Sequence, residues 1–266
     1  MSLLDVDAAV ASAELIAAKG GWRDRLAIWI VADHGHAPVS QHDDLHAFIE
    51  STGYRVLAHP KLRVRKPDVA LMVGGNAMAH VYLEPEHRTR GWWPTLRSRW
   101  ESLHDLLVQR PSVDLAAVAI SQTRVRITSA SAGSAEILRD TASTFSYRPL
   151  DGDPLGVGGT HNSLSESEAW ELTRNTAHPD SIVQLATLAP AARSGDIVLS
   201  AAPNWDLRER FESVTHVSTH GALLRDQMLV PFLVDRPMAV APRRTVDVMT
   251  GALELLGIAT DMQSRK

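Results

Sequence analysis

The longest apolar run in the chain lies in the stretch Leu26-Ala27-Ile28-Trp29-Ile30-Val31-Ala32-Asp33-His34-Gly35. Its first seven residues are apolar and include several β-branched side chains, which is typical of a strand buried on both faces of a sheet with parallel neighbours. The run then ends abruptly at an acidic residue, a histidine and a glycine. In open α/β sheets, binding sites form at the carboxyl ends of strands, so Asp33 and His34 lie where a site is expected.

Helical and strand-like patterns alternate on either side of this stretch. Apolar residues from Leu3 to Ile16 have helical spacing before Gly20-Gly21, and 245–256 has the same spacing before Gly257. We predict further helices at 43–51, 92–109, 165–175 and 179–188, and strands at 55–58, 68–73, 78–83, 113–120, 123–128, 135–139, 144–148, 195–200 and 228–234. The alternation at both ends of the chain favours an α/β sandwich.

Composition excludes several classes of protein. The 266 residues are 44% hydrophobic and 22% charged, as in globular proteins, and the net charge of −4 gives no overall attraction to nucleic acid. With no cysteine, the chain has no disulfide, thiolate metal site or cysteine nucleophile. The longest apolar run is too short for a membrane span. The acidic, helical start does not resemble a signal peptide, which weakly favours the cytoplasm.

Two motifs carry candidate metal ligands. A carboxylate and an imidazole, as in Asp33-His34, are donors that zinc accepts, and Gly35 would let the backbone turn so that both face one ion. The alternative is an ordinary structural role, in which Asp33 caps a turn and His34 is a surface residue. The second motif contains His216 and His220; its Ser, Thr and Gly residues indicate a loop, so we expect His220, before Gly221, to matter more than His216. For the second motif, the alternative is that both histidines are ordinary loop residues.

Together these motifs resemble the alkaline phosphatase superfamily, in particular its type I phosphodiesterase and nucleotide pyrophosphatase branch. The strand ending in Asp33-His34-Gly35 looks like the metal-binding Asp-His-Gly of that family. Thr219-His220-Gly221 followed by 230–234 looks like its His-Gly, polar loop and Val-Pro-aliphatic strand, and 245–258 is similar to the helix that usually ends these domains. The order and spacing of the motifs fit as well.

The resemblance implies a metal-dependent phosphoester hydrolase with an alkaline phosphatase-like three-layer α/β/α sandwich. Family members use two divalent metals, here expected to be zinc with manganese or iron as alternatives, to activate a Ser or Thr nucleophile. By resemblance, Asp33 and His34 bind one metal and His220 binds the other. The family's nucleophile and its remaining ligands precede the Asp-His-Gly motif, and no residue before Asp33 matches them. The expectation is therefore a fold incomplete at its N-terminus, missing the preceding part of the same fold and with no catalytic nucleophile in this chain.

Three segments are expected. Residues 1–84 and 193–266 would form the α/β core with the two metal motifs, and 85–192 would be a β-rich insertion or cap that shapes the pocket for a small phosphoester substrate. Monoester and diester substrates remain open.

Two other functions compete with this hypothesis. The chain could be a non-catalytic binding or structural domain with a relic metal site. Basic residues beside Trp92, Trp93 and Trp100 could bind nucleic acid, although this Trp spacing is what a helix buries, so we expect no nucleic-acid partner. The basic residues are Arg55, Lys61, Arg63, Arg65, Lys66, Arg88, Arg90, Arg97 and Arg99.

Some residues have ordinary structural explanations. His36, His42 and His46 are expected to have surface or capping roles. The Gly74-Gly75-Asn76 and Gly156–His161 stretches lack the strand-to-helix setting of a phosphate-binding loop, so we expect turns or a lid.

Overall fold

A computed structural model describes residues 3–59, 63–86, 91–141, 143–208, 214–238 and 241–258. The helices are α1 (Leu3–Lys19), α2 (Leu45–Ser51), α3 (Trp93–Val108), α4 (Glu166–Thr173), α5 (Ser181–Leu188), α6 (Arg225–Met228) and α7 (Thr245–Leu255), with a 3-10 turn at Arg23–Arg25. The strands are β1 (Trp29–Val31), β2 (Ala37–Pro38), β3 (Gln41–His42), β4 (Val56–Leu57), β5 (Val69–Gly74), β6 (Met78–Leu83), β7 (Val113–Ser121), β8 (Arg124–Ser129), β9 (Gly133–Arg139), β10 (Thr144–Gly152), β11 (His161–Ser165), β12 (Ile197–Ala201), β13 (Trp205–Asp206), β14 (Ser218–Thr219) and β15 (Phe232–Val234).

One large sheet organises the chain. Within the described ranges it has nine strands in the order β11-β10-β9-β8-β7-β12-β6-β5-β4. Its neighbours pair antiparallel except β4 and β5, which are parallel. The sheet is continuous across the expected segment boundaries at 84/85 and 192/193, because β12 lies between β6 and β7. That residues 85–192 are an insertion stays a prediction.

Helices cover both faces of this sheet. On one face, side chains of α2 and α3, including Leu45 and Trp100, pack with β4–β7 and β12. On the other face, α4 and α5 pack against β7–β10 and β12. Strand β12 contributes Leu199 to the first core and Val198 to the second, as expected of alternating side chains. The fold class is therefore α/β, with helices layered on both sides of a mixed sheet.

The apolar stretch at 26–32 differs from its prediction. Only Trp29–Val31 is a strand, and it pairs antiparallel with β15 in a sheet that has two strands in the described part of the chain. Val31 is 42% exposed, so the prediction of a strand buried on both faces with parallel neighbours is wrong. Apolar composition alone does not distinguish a central strand from one in a small, half-buried sheet.

The chain divides into two compact units. The smaller comprises Met1–Asp33 and Val230–Lys266, and the larger comprises His34–Leu229. In the smaller unit the ring of Trp29 packs edge-on against Phe232, and the Asp235 carboxylate accepts the Ile28 N–H at 2.9 Å. In the ranges that are described, no helix is long and apolar enough to cross a membrane.

Local sequence signals set the starts of α2 and α4. The Ser165 hydroxyl accepts the Glu168 N–H at 3.3 Å while the Glu168 carboxylate accepts the Ser165 N–H at 2.8 Å, which confirms the predicted capping box. Asp44 caps α2 by accepting the Ala47 N–H at 2.9 Å. Of the segment predicted as one strand at 228–234, only Phe232–Val234 is a strand, and Met228 is the last residue of α6.

Candidate functional site

Loops from distant parts of the larger unit meet at one end of its sheet. Strands β5 and β12 both end there, at Gly74 and Ala201. Beyond them, β14 pairs with β2 and β13 pairs with β3. The His220 N–H donates to the Gly75 carbonyl at 2.9 Å, which joins the histidine loop to the turn between β5 and β6. These pairings bring histidines that are far apart in the sequence to one place.

Two of the predicted ligands, His34 and His220, are stacked on each other. Their ring centroids are 3.7 Å apart and the ring planes differ by 5°. We call these two residues the histidine stack. His36, predicted to have an ordinary surface role, is exposed, but its ring centroid lies 5.5 Å from that of His220.

The backbone around His34 fixes which ring nitrogen carries the proton. His34 Nδ1 lies 2.9 Å from the Gly35 carbonyl oxygen, which can only accept, so Nδ1–H is the donor and Nε2 is the ring nitrogen that is not used in this bond. The Gly35 N–H donates to the Gln227 carbonyl at 2.8 Å, and glycine is required here because a Cβ would lie 2.1 Å from the Asp226 carbonyl oxygen. The structural reason for Gly35 is this close approach to 226–227.

The third predicted ligand, Asp33, is an exposed residue. It is the last residue of the smaller unit's first segment, and His34 is the first residue of the larger unit. Its role as a ligand stays a prediction.

A second group of polar side chains lies at the same end of the sheet. Asp206 is fully buried, and its Oδ2 accepts the Nδ1–H of His42 at 2.9 Å and lies 3.6 Å from Nδ1 of His216. The Asn76 amide nitrogen is 2.6 Å from the same His216 nitrogen. Among the described residues, Asp206 Oδ1 has no hydrogen-bond partner. We call His42, Asn76, Asp206 and His216 the Asp206 cluster.

Sequence reasoning missed this cluster. It gave His42 an ordinary role, passed over His216 in favour of His220, and did not single out Asp206. Asp206 follows Asn204-Trp205 with no recognisable motif, and His42 reaches it through the parallel pairing of β3 with β13. No local pattern in the sequence encodes that pairing.

Other predicted residues are placed differently. His46, expected at the surface or at a cap, is 0% exposed within α2, with Nε2 3.5 Å from the Glu50 carboxylate. Trp93 and Trp100 are buried in the core beneath α3, so they cannot stack on the bases of a nucleic acid. Lys61, Arg88 and Arg90, part of the basic set considered for nucleic acid, lie outside the described residues.

The two rings of the histidine stack are nearly parallel, with their centroids 3.7 Å apart. A ring nitrogen binds a metal in the plane of its own ring, so a single ion would not lie in both ring planes. No group of three His, Asp or Glu side chains in the described part of the chain could by itself hold a metal.

Comparisons with known proteins reveal a structural likeness but no sequence relative. No family model matches the sequence, and no curated protein matches it. Among solved structures, murine ectonucleotide pyrophosphatase/phosphodiesterase 5 is similar, with a TM-score of 0.49 and 12% identity over 96% of this chain and 47% of that chain. The chain thus spans about half the length of that protein. At this identity the likeness concerns the course of the backbone and assigns no role to any residue.

Proposed function

We propose that this chain supplies metal-ligating residues of a metal-dependent phosphoester hydrolase. His34 would hold one divalent ion and His220 the second. Asp33, the sequence neighbour of His34, is proposed as a further ligand to the first ion. Zinc is the favoured metal because imidazole and carboxylate are its usual donors besides thiolate, with manganese and iron as alternatives. The proposal assigns no nucleophile to this chain.

One observation carries the proposal: the two histidines singled out by separate sequence motifs are stacked at 3.7 Å. Long-range pairing of loops is needed to bring them together. The Gly35 carbonyl adds support, because a ligating histidine commonly donates its other ring N–H to a carbonyl or carboxylate, which fixes the tautomer.

When bound, two such ions would stabilise the charge of a phosphoryl group and lower the pKa of the attacking oxygen. The chain's own residues would orient the donors. Gly35 holds His34 with Nδ1 protonated, and the turn at Gly75 holds the backbone of His220.

Zinc titration of the purified chain by calorimetry tests the proposal. We expect saturable Zn²⁺ binding that His34→Ala and His220→Ala each weaken by at least about tenfold, and that Asp33→Ala also weakens. His59→Ala is the matched control, since His59 is exposed and belongs to neither the histidine stack nor the Asp206 cluster. Phosphoester turnover by the full protein, measured with a chromogenic monoester and diester, should fall in the same variants. Unchanged zinc affinity and turnover in the ligand variants would contradict the proposal.

A non-catalytic binding domain is the second candidate. It is favoured by the finding that the described residues include no group of three side chains able to hold a metal. On this alternative, a phosphoester binds saturably to the folded chain and is released unchanged. Turnover that depends on added zinc would contradict it.

A further inference from the structure

The turn between β5 and β6, residues 75–77, clamps the backbone of His220. The His220 N–H donates to the Gly75 carbonyl at 2.9 Å, and the Ala77 N–H donates to the His220 carbonyl at 3.1 Å. The Thr219 hydroxyl also donates to the Gly75 carbonyl, at 2.7 Å. Two hydrogen bonds of the His220 backbone and one of the Thr219 hydroxyl thus join residues 219–220 to this turn, although the two segments are distant in sequence.

Gly75 also leaves the space that the His220 ring occupies. A Cβ on Gly75 would lie 2.5 Å from His220 Nδ1, 2.6 Å from Cε1 and 2.5 Å from the His220 carbonyl oxygen. Contacts this short are not tolerated, and because one of them is to backbone, rotating the ring alone would not relieve them. The φ of Gly75 is +57°, a value that side chains rarely adopt.

Asn76 connects the same turn to the Asp206 cluster. Its φ is +64°, which asparagine tolerates better than most residues, and its amide nitrogen contacts His216 Nδ1 at 2.6 Å. Its carbonyl accepts the Leu207 N–H at 2.6 Å, next to Asp206. The turn at 75–77 therefore contacts His220 of the histidine stack and His216 of the Asp206 cluster.

We propose that Gly75 is a positioning residue that sets the His220 imidazole against His34, and that Asn76 separately positions His216. The turn acts through the histidines and does not itself bind a metal. The consequence for zinc rests on the proposed function, whereas the placement of the His220 ring does not.

Histidine ring signals in the NMR spectrum of the metal-free chain test the placement. In the wild type, stacked rings shift each other's proton resonances through their ring currents. We expect Gly75→Ala to abolish the shifts of His34, as His220→Ala does. Gly158→Ala is the matched control, because Gly158 has a φ of +73° but no atom within 4 Å of a Cβ. Asn76→Gly keeps the backbone conformation and should change the His216 signals while leaving those of His34.

Thr219→Val is a second variant that tests the same placement if Gly75→Ala does not fold. It removes the hydroxyl donor to Gly75 without placing new bulk on that residue, and it should reduce the shifts of His34. Retention of the wild-type shifts in Gly75→Ala, or in Thr219→Val where only that variant folds, would overturn the inference.

Zn²⁺ alone, titrated into the same variants, separates this inference from the proposed function. If the proposed function holds, Gly75→Ala weakens zinc binding about 10–100-fold, as the loss of a positioning contact commonly does, while Gly158→Ala does not. Zinc affinity that His220→Ala leaves unchanged would overturn the proposed function but not the placement. Zinc affinity that His220→Ala lowers and Gly75→Ala leaves unchanged would overturn the positioning role.

Discussion

Asp153 shows how one carboxylate organises a glycine-rich loop. It accepts a hydrogen bond from the Tyr147 hydroxyl at 2.5 Å and from the N–H groups of Gly156 at 3.1 Å and Gly158 at 2.6 Å. Both glycines have positive φ. Burial acts to raise the pKa of Asp153, but the bonds from Tyr147 and the loop amides outweigh it and hold that pKa below its ordinary value. The Gly156 and Gly158 amides, which could otherwise bind a phosphate, therefore already donate to Asp153.

Replacing Tyr147 with Phe tests how much its hydrogen bond to Asp153 contributes to the stability of the folded chain. We expect the free energy of unfolding at pH 7 to fall by about 1–2 kcal/mol, because a half-buried carboxylate loses a donor. Since the pKa of Asp153 is lowered in the folded state, its contribution is present above the unfolded value and is lost as pH falls through the folded value. Urea unfolding curves of variant and wild type should therefore converge in acid. Tyr82→Phe, which removes an exposed bond to the Arg193 carbonyl, is the control and should cost less.

At the scale of elements, β12 is the strand on which both cores depend. All five of its residues are buried, and it pairs with β6 on one side and β7 on the other. It is also the strand whose end carries the chain into the loop of Asp206. Weakening β12 should therefore affect stability first and the candidate site second.

Leu199→Ala tests the role of this strand. Leu199 is fully buried in the core shared with α2 and α3, so we expect a loss of about 2–5 kcal/mol in the free energy of unfolding. Urea denaturation followed by far-UV circular dichroism measures it. Leu150→Ala, at a side chain that is 48% exposed in β10, is the control and should change stability by less than about 1 kcal/mol. Equal losses in the two variants would contradict the placement of the core.

At the scale of the whole molecule, the two units differ in how much apolar surface they bury. The larger unit contains both cores of the sheet. Among the described residues of the smaller unit, Ala17 alone is a buried apolar residue. Large exposed apolar side chains of this unit lie on or just after α1, on or just after α7, and in β1 and β15: Leu3, Leu4, Leu15, Ile16, Trp22, Val31, Leu233, Val234, Val246, Met249, Leu255, Leu256 and Ile258. Burial of apolar area is the main favourable term in folding, so the smaller unit has less to stabilise it.

Hydrogen exchange measured by mass spectrometry should separate the units. Amides of α1 and α7 are expected to exchange faster than those of β7, β8 and β12, because local opening costs less where few apolar side chains are buried. Comparable protection of the helices in the smaller unit and the central strands of the larger would contradict this expectation.

Local sequence patterns were enough to predict most of the elements and to single out two residues of the candidate site. Periodicity and caps predicted α1, α3, α4 and α7 to within a few residues, and the β5–β6 turn was confirmed as a hairpin. These features depend on neighbours three or four residues apart or on a tight turn, so local patterns suffice. The two histidines of the stack were identified from their motifs.

Which strands pair and which polar groups meet became known only from the folded chain. It placed Trp29–Val31 in an antiparallel pair with β15 and buried His46. It also joined His42 to Asp206 and fitted His220 against Gly75. Each of these outcomes depends on packing and hydrogen bonds between segments far apart in the chain. A short sequence pattern carries no record of such contacts, because their free energy depends on partners that only the folded chain brings together.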